Sequence, residues 1–151
     1  MPQSLVQLYI HIVFSTKDRR RFLQPEELRD RVHAYLAKIC HNQGSPSLKV
    51  GGVEDHVHIL CRLTKVSSIS HLLHELKRES SKWVKEQDPG LKQFYWQSGY
   101  SAFSVSPPEV KDLIGYIASQ EVHHKHESFK DEFRQLCKQH GVEIDERYVW
   151  D

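Results

Sequence analysis

The sequence has few of the features that mark exported or membrane proteins. Its three cysteines, Cys40, Cys61 and Cys137, are an odd number without a CxxC pair, which argues against a disulfide framework or a cysteine zinc site. No run approaches the roughly 20 apolar residues of a membrane span, and the N-terminal residues do not form a basic region followed by an apolar one. We therefore expect a soluble, cytoplasmic protein that contacts no membrane.

A strong overall charge is also absent, because 21 Lys and Arg residues nearly balance 20 Asp and Glu residues. The two parts of the chain differ, however. Residues 1–87 have 14 basic and 9 acidic side chains (net +5), and residues 88–151 have 7 and 11 (net −4). This asymmetry predicts a basic surface that can meet phosphate groups, although a solvated mixture of charges is the alternative interpretation.

The length and the hydropathy pattern predict one domain over residues 1–151. Alternating or β-rich segments indicate strands over residues 5–15, 48–53, 56–63 and 94–105, the last interrupted at 97–99. Helical periodicity predicts helices over 25–43 and 67–88, a third from the capping-box residues 106–109, and a final amphipathic segment around 129–137. This order predicts an α+β fold: a ferredoxin-like antiparallel sheet of about four strands, with helices packed on it and an added C-terminal helix that bears Tyr116.

Two pairs of polar residues are the strongest indication of function. His56 and His58 alternate with Val57 and Ile59 in a predicted strand, so both imidazoles point to one face and can bind one ion. On the predicted C-terminal helix, a residue separation of four places Tyr116 and Gln120 about 40° apart, beside an apolar stripe formed by Val110, Leu113, Ile114 and Ile117. Docking of that stripe would bring both side chains to the edge of the packed interface.

This combination predicts phosphodiester chemistry. A metal ion bound by two imidazoles and one amide oxygen has coordination positions left for a phosphate oxygen. It would offset the negative charge on the phosphate oxygens during in-line attack. Tyr116 would supply the attacking oxygen, although a phenol with a pKa of about 10 needs a nearby cation or base to ionise. A phosphotyrosine intermediate retains the energy of the broken bond, so rejoining needs no nucleotide cofactor.

Three motifs in this order resemble the single-tyrosine HUH transposases of small bacterial insertion sequences: His56-Val57-His58, Trp96-Gln97-Ser98-Gly99-Tyr100 and Tyr116-Ile117-Ala118-Ser119-Gln120. Residues 12–17 are similar to the family's opening strand and loop. The resemblance implies cleavage of single-stranded DNA that bears hairpins, with a 5′-phosphotyrosine and a free 3′-OH. It also implies Mg²⁺ or Mn²⁺ bound by His56, His58 and Gln120, although ligand type alone lets imidazoles favour zinc or another transition ion. Family members are homodimers, so the tyrosine helix could complete the site of the partner; spacing leaves cis and trans assembly open.

Further side chains are candidates for contacts with DNA. Basic residues in the first loop and on the second helix could meet hairpin phosphates, and aromatic side chains could stack on unpaired bases, although solvation and core packing are the alternatives. These candidates are Arg19, Arg20, Arg21, Lys77, Arg78, Lys82, Lys85 and Tyr100, together with Tyr95 and Trp96. The roles of His11, His123, His124 and His126 stay open between a part in the site and a structural or exposed position.

The sequence favours a transposase over two alternatives. A hairpin-binding module that does not cut, such as a domesticated relative, would not require the complete set of histidines, tyrosine and glutamine. An HUH replication initiator or relaxase would use the same metal chemistry, but the short chain and single Tyr116–Gln120 pair argue against it. Short palindromes in the DNA flanking the coding region would support the transposase.

Overall fold

A four-stranded antiparallel sheet forms the centre of the computed structural model, which describes residues 2–151. The strands are β1 (Leu8–Ser15), β2 (Ser47–Gly52), β3 (His56–Leu63) and β4 (Ser101–Val105), in the order β2-β3-β1-β4. The helices are α1 (Glu26–Asn42), α2 (Ile69–Gln87), α3 (Val110–Ala118), α4 (Gln120–His123) and α5 (Phe129–Gln139). The predicted α+β class and ferredoxin-like strand order are confirmed.

One face of the sheet is an apolar core under α1 and α2. Ile12 of β1 and Ile59 of β3 are fully buried there and pack in one cluster with Leu36 of α1 and Leu76 of α2. Burial of each such side chain stabilises the fold by roughly 1.5–3 kcal/mol. The cysteines are unpaired, and Cys40, Cys61 and Cys137 are all buried.

The opposite face is covered by α3 and α5. Leu60 of β3 packs with Ile117 of α3, and Val13 of β1 packs with Phe133 of α5. Both faces of the central strands are therefore buried, as the apolar residues on both sides of the first strand predict. This second face is the one that presents His56 and His58.

A glycine in β2 lets α3 lie close to the sheet. A Cβ atom built on Gly51 would stand 2.7 Å from the carbonyl oxygen of Ile117 and 2.8 Å from its Cγ2, closer than real Cβ contacts. Gly51 is also the residue opposite His58 in the β2–β3 ladder. The position of α3 over the histidine strand therefore depends on the absence of a side chain here.

Three predicted element boundaries differ from the structure. The first strand begins at Leu8 rather than residue 5, because pairing with β3 starts at Leu8 and Leu5 is 82% exposed. Residues 94–96 form no strand, and only Trp96 makes an isolated bridge, to Thr16. The Ser106 side chain makes no capping hydrogen bond, and a 3₁₀ turn over Pro107–Glu109 precedes α3.

The tyrosine helix is also shorter than predicted. The N–H of Ser119 donates to the carbonyls of both Gly115 and Tyr116, and its hydroxyl donates to Tyr116 as well. This local bonding ends α3 at Ala118, so Gln120 begins the separate helix α4. Along residues 2–151, the helices are too short or too polar to cross a membrane.

Candidate active site

The two histidines of β3 lie side by side on the face covered by α3 and α5. Both are fully buried, and their ring centroids are 5.1 Å apart. His56 stands opposite Ser15 of β1, and His58 stands opposite Val13. The alternation of β3 therefore places both imidazoles where the sequence predicts them, with Val57 and Ile59 in the core behind them.

One nitrogen of each ring contacts a neighbouring side chain. His56 Nδ1 lies 2.7 Å from Asp55 Oδ1, and because a carboxylate only accepts, this nitrogen carries a hydrogen. His58 Nδ1 lies 2.8 Å from Nε2 of the buried His11. Both Nε2 atoms therefore face the interior of the site, and His11 supports His58 from the adjacent strand.

Tyr116 and Gln120 reach the same place despite the break at Ser119. Gln120 Oε1 lies 3.0 Å from His56 Nε2, and the amide Nε2 of Gln120 donates to Glu132 Oε2 at 2.9 Å. The Tyr116 hydroxyl donates to the same Oε2 atom, and its ring centroid is 5.9 Å from that of His58. The structure thus brings all four sequence-predicted site residues together.

Glu132 of α5 is a member of the site that the sequence reasoning missed. Its side chain is nearly fully buried, and Oε1 lies 3.0 Å from His58 Nε2 and 3.3 Å from His56 Nε2. One signal was available in the sequence: Glu132 falls on the apolar face of its helix, three residues after Phe129 and four before Leu136. An acidic residue on such a face is unusual and indicates a buried partner.

Of the three histidines that follow the tyrosine helix, His124 enters this cluster and His123 lies at its edge. Its Nδ1 donates to the Glu127 carbonyl at 2.6 Å, and its Nε2 lies 3.1 Å from Glu132 Oε1. That buried Nε2 atom nevertheless has no partner in hydrogen-bond geometry. His123 pairs with the Glu127 carboxylate at 2.6 Å and lies 3.6 Å from Glu132 Oε2, and His126 is exposed.

The burial of these groups changes their protonation. Burial lowers the pKa of His56, but hydrogen bonds to the Asp55 and Glu132 carboxylates outweigh it and raise the pKa to about 9. Burial lowers the pKa of His58, and burial next to His58 lowers the pKa of His11 to about 3. The site therefore favours one charged imidazole beside neutral ones.

The pKa values of the Glu132 carboxyl and the Tyr116 phenol shift in opposite directions. Burial alone would raise the pKa of Glu132, but the contacts with His124, His56 and His58 hold it far below its usual range. Burial and the hydrogen bond to this anion raise the pKa of Tyr116 above its ordinary value. In the arrangement described, the tyrosine is a neutral phenol held by a carboxylate.

A group of four side chains, His56, His58, His124 and Glu132, could hold a metal ion. One potential ligand atom from each lies within 4.8 Å of the others. The group fits a cation because oxygen acceptors hold a hydrogen on Nδ1 of His56 and of His124, so the inward Nε2 atoms can bind an ion, which at His56 would replace a proton. Gln120 Oε1 adjoins the same group through His56.

Two of the basic candidates, Lys77 and Arg78, line a different groove, between α2 and residues 95–100. Lys77 Nζ donates to the carbonyls of Gln97, Ser98 and Gly99, at 2.8, 3.2 and 2.5 Å, and burial lowers its pKa to about 8. Lys77 therefore supports this loop as well as lining the groove. Tyr100, 41% exposed, lies over the same ammonium group at 5.7 Å.

The remaining candidates on α2 vary in exposure. Arg78 pairs with two acidic side chains of its own helix, Lys82 is exposed, and Lys85 lies 4.0 Å from the centre of the Tyr95 ring. Trp96 is buried, and its indole N–H donates to Ser80. Trp96 therefore belongs to the core, whereas the exposed Tyr95 stays a candidate for stacking on a base.

The first loop is close to the end of the chain. Arg19 donates to the Trp150 carbonyl at 3.1 Å, while Arg20 stacks on Phe22 and Arg21 is exposed. Gln97 links the groove to the active-site end of the sheet, because its amide oxygen accepts from the Ser15 N–H at 2.8 Å. The groove and the histidines thus share one end of the sheet.

A cleft of about 420 Å³ leads to the tyrosine between α3 and α5. Tyr116, His123 and Glu132 line it, together with the acidic side chains of Glu109 and Asp112. The basic groove, rather than this cleft, therefore offers the better surface for a DNA backbone.

Residues 4–120 match the family model described as "Transposase IS200 like". Two curated relatives, from Salmonella typhimurium and Salmonella typhi, are each described as the transposase for insertion sequence element IS200. Each is 32% identical to this chain over 115 residues, which cover 73% of this chain and 74% of the relative.

Two solved structures are also similar. A crystal structure of a candidate transposase from Deinococcus radiodurans R1 aligns with a TM-score of 0.64 and 25% identity, covering 80% of this chain and 95% of the other. A REP-associated tyrosine transposase bound to a REP hairpin aligns with a TM-score of 0.60 and 15% identity, covering 82% and 73% of the two chains. The second likeness concerns the fold alone.

Proposed function

Because the chain belongs to the IS200-like transposase family, we propose that it cuts and rejoins single-stranded DNA through a covalent bond to Tyr116. Membership makes it a DNA-processing enzyme of a transposase family. One observation carries the more specific proposal: the Tyr116 hydroxyl lies in a buried cluster with His56, His58, Gln120 and Glu132.

The residues of this cluster have distinct parts in the proposed reaction. Tyr116 loses its phenolic proton, its oxygen bonds to the phosphorus, and the bond from phosphorus to the 3′ oxygen breaks. The 3′ oxygen takes up a proton and leaves as a hydroxyl, and the 5′ phosphate stays on the tyrosine. Glu132 Oε2 accepts the hydroxyl hydrogen in the structure, so it orients the phenol and is the nearest acceptor for its proton.

A divalent cation, Mg²⁺ or Mn²⁺ in the proposal, would be held by His56, His58 and Gln120, with no nucleotide cofactor. When bound, it supplies positive charge that favours the phenolate and offsets charge on the phosphate oxygens. The protein contributes a dry environment, since the imidazoles are fully buried. Asp55 fixes the orientation of the His56 ring through Nδ1.

Hairpin recognition is the second part of the proposal. The REP-associated relative of the same fold is bound to a REP hairpin. In this chain, the groove between α2 and residues 95–100 combines Lys77 and Arg78 with the exposed Tyr100. A phosphate backbone could meet the cations while an unpaired base stacks on the ring.

Covalent capture tests the proposed chemistry. The purified protein is incubated with Mn²⁺ or Mg²⁺ and a labelled single strand that carries a hairpin, taken from the DNA flanking its coding region. We expect a protein–DNA adduct that resists denaturing electrophoresis and is lost in Tyr116→Phe. Tyr148→Phe, at an exposed tyrosine near the chain end, should keep it. An undiminished adduct in Tyr116→Phe would contradict the proposal.

A hairpin-binding protein that does not cut DNA is the second candidate. The raised pKa of Tyr116 favours it, because a phenol held by an anion is a weak nucleophile. Tight binding of the hairpin strand without an adduct, in either metal ion, would support this candidate. Adduct formation by the wild-type protein would eliminate it.

A further inference from the structure

We propose that His124 and Glu132 are metal ligands together with His56 and His58, which makes the site a three-histidine, one-carboxylate centre that selects a divalent transition ion over Mg²⁺. The inference rests on the proposed function, because it concerns the cation of that reaction. It adds two ligands from a segment that follows the family match, which ends at residue 120.

The first support is the position of the hydrogens on two imidazoles. Asp55 accepts from His56 Nδ1, and the Glu127 carbonyl accepts from His124 Nδ1. With its one hydrogen on Nδ1, a neutral ring presents the lone pair of its inward Nε2 atom, and at His56 a bound cation would take the place of the proton that otherwise lies on Nε2. An outer oxygen acceptor on the remote nitrogen is the usual arrangement of a metal-bound histidine.

The second support is the set of atoms that surround these inward nitrogens. His56 Nε2 lies 3.0 Å from Gln120 Oε1 and 3.3 Å from Glu132 Oε1, and both oxygens are acceptors. His124 Nε2 is buried, 3.1 Å from Glu132 Oε1, and forms no hydrogen bond. Acceptors packed against acceptors in a dry site repel each other unless a positive charge, either a proton or a metal ion, lies between them, and one metal ion could serve all of these groups at once.

The spacing also agrees with ligation. Ligand atoms about 2.1 Å from one ion lie about 3.0–3.4 Å apart in octahedral or tetrahedral geometry. Glu132 Oε1 lies 3.0, 3.1 and 3.3 Å from the inward nitrogens of His58, His124 and His56. These separations are those of neighbouring ligands around one ion.

The ligand types decide which ion is bound. Imidazole nitrogen suits Zn²⁺, Fe²⁺, Ni²⁺ and related ions, whereas Mg²⁺ prefers oxygen ligands and retains its water. Three nitrogens and one carboxylate oxygen therefore favour a transition ion. The same carboxylate receives the Tyr116 hydroxyl on Oε2, so Glu132 would connect the ion and the tyrosine.

A Co²⁺ titration followed by visible absorption tests the ligand set without any DNA. We expect wild-type protein to bind one Co²⁺ that a large excess of Mg²⁺ does not displace. His124→Ala and Glu132→Gln should weaken binding about tenfold or more and alter the absorption bands. His126→Ala and Glu143→Gln, at exposed positions in the same part of the chain, should bind as the wild type does.

X-ray absorption of wild-type protein loaded with Zn²⁺ gives an independent measure that needs no variant to fold. Three imidazoles in the scattering pattern support the proposal, and two overturn it. Unchanged Co²⁺ binding by folded His124→Ala and Glu132→Gln, or displacement of Co²⁺ by Mg²⁺, also overturns it. In these cases the wild-type protein would still form the adduct and Tyr116→Phe would still form none. Failure of this inference is therefore distinguishable from failure of the proposed function.

Discussion

At the scale of single residues, Asp55 is the neighbour that fixes the His56 ring. The carboxylate holds Nδ1 at 2.7 Å and so directs Nε2 into the site. We expect Asp55→Asn to lower the affinity for Co²⁺ or Mn²⁺ about 10- to 100-fold while the protein stays folded. Asp30→Asn, at an exposed position of α1, should leave the affinity unchanged in the same titration. Equal affinities for both variants would show that Asp55 does not support the ligand.

His33 of α1 offers a test of pH dependence away from the site. Burial lowers its pKa from 6.5 to about 4, and its Nε2 has no partner. As the pH falls below about 6.5, His33 binds a proton in the unfolded chain, whereas in the folded chain it stays neutral until about pH 4. Stability from this residue is thus complete above pH 7 and is lost towards pH 4.

We therefore expect His33→Gln to lose less stability than the wild type when the pH is lowered from 7 to 4.5. The difference should be about 1–3 kcal/mol in the free energy of unfolding, measured by urea titration at each pH. Parallel losses in the two proteins would show that His33 titrates normally in the fold. His126→Gln, which alters an exposed histidine, serves as the control.

Residue types and spacing allowed prediction of part of the site and not the rest. His56, His58, Tyr116 and Gln120 were predictable because each pair is close along the chain and its geometry follows from strand or helix periodicity. Glu132 comes from another helix, and its approach depends on how α5 packs on the sheet. Periodicity cannot supply that tertiary information, although an acid within an apolar stripe is a usable hint.

At the scale of elements, the contact between α3 and β2 controls where Tyr116 lies. A methyl group at Gly51 would overlap with the carbonyl oxygen of Ile117, which is backbone and cannot rotate away. We expect Gly51→Ala to move α3, to destabilise the fold by about 1–3 kcal/mol and to reduce adduct formation at least tenfold. Binding of the hairpin strand, measured by fluorescence anisotropy, should change much less.

Gly115, on α3 itself, provides the control, because it has room for a side chain where Gly51 has none. A Cβ atom there would meet nothing within 4 Å. Gly115→Ala should therefore raise the free energy of unfolding by about 0.5–1 kcal/mol, since alanine favours the helix and restricts the unfolded chain. If Gly51→Ala retained full adduct formation, the close approach would not be what positions Tyr116.

The elements themselves were largely predictable, and their ends were not. The boundaries of α1, β3 and α2 follow from capping residues, alternation and breakers close to them in sequence. The break at Ser119 depends on a hydroxyl that competes for the Tyr116 carbonyl, a choice that periodicity does not reveal. Residues 5–7 have a strand pattern but extend past the end of β3, so they have no pairing partner.

At the scale of the whole molecule, the two faces of the sheet have different roles. α1 and α2 cover an apolar face, whereas α3 and α5 enclose the polar cluster on the other. Tyr116 reaches Glu132 and lies beside His58 within a single chain. This placement predicts a site assembled in cis, while the homodimer and the single domain over residues 1–151 stay predictions.

Mixing two inactive variants tests cis assembly. Tyr116→Phe lacks the nucleophile and His58→Ala lacks an imidazole, so neither should form an adduct alone. With a site built within each chain, their mixture should also form none, because no chain has both groups. Adduct at about one quarter or more of the wild-type level would instead show that the tyrosine of one chain serves the histidines of another. Light scattering of the same samples would report whether the variants associate.

The burial of Cys40, Cys61 and Cys137 has a practical consequence for observing this molecule at work. A thiol introduced at a surface position such as Ser106, whose side chain makes no capping hydrogen bond, would be the only one that a maleimide dye can reach in the folded state. A fluorophore placed there, next to the tyrosine helix, could follow the helix during a single encounter with DNA. The native cysteines need not be replaced, so the labelled enzyme would differ from the natural one at one residue.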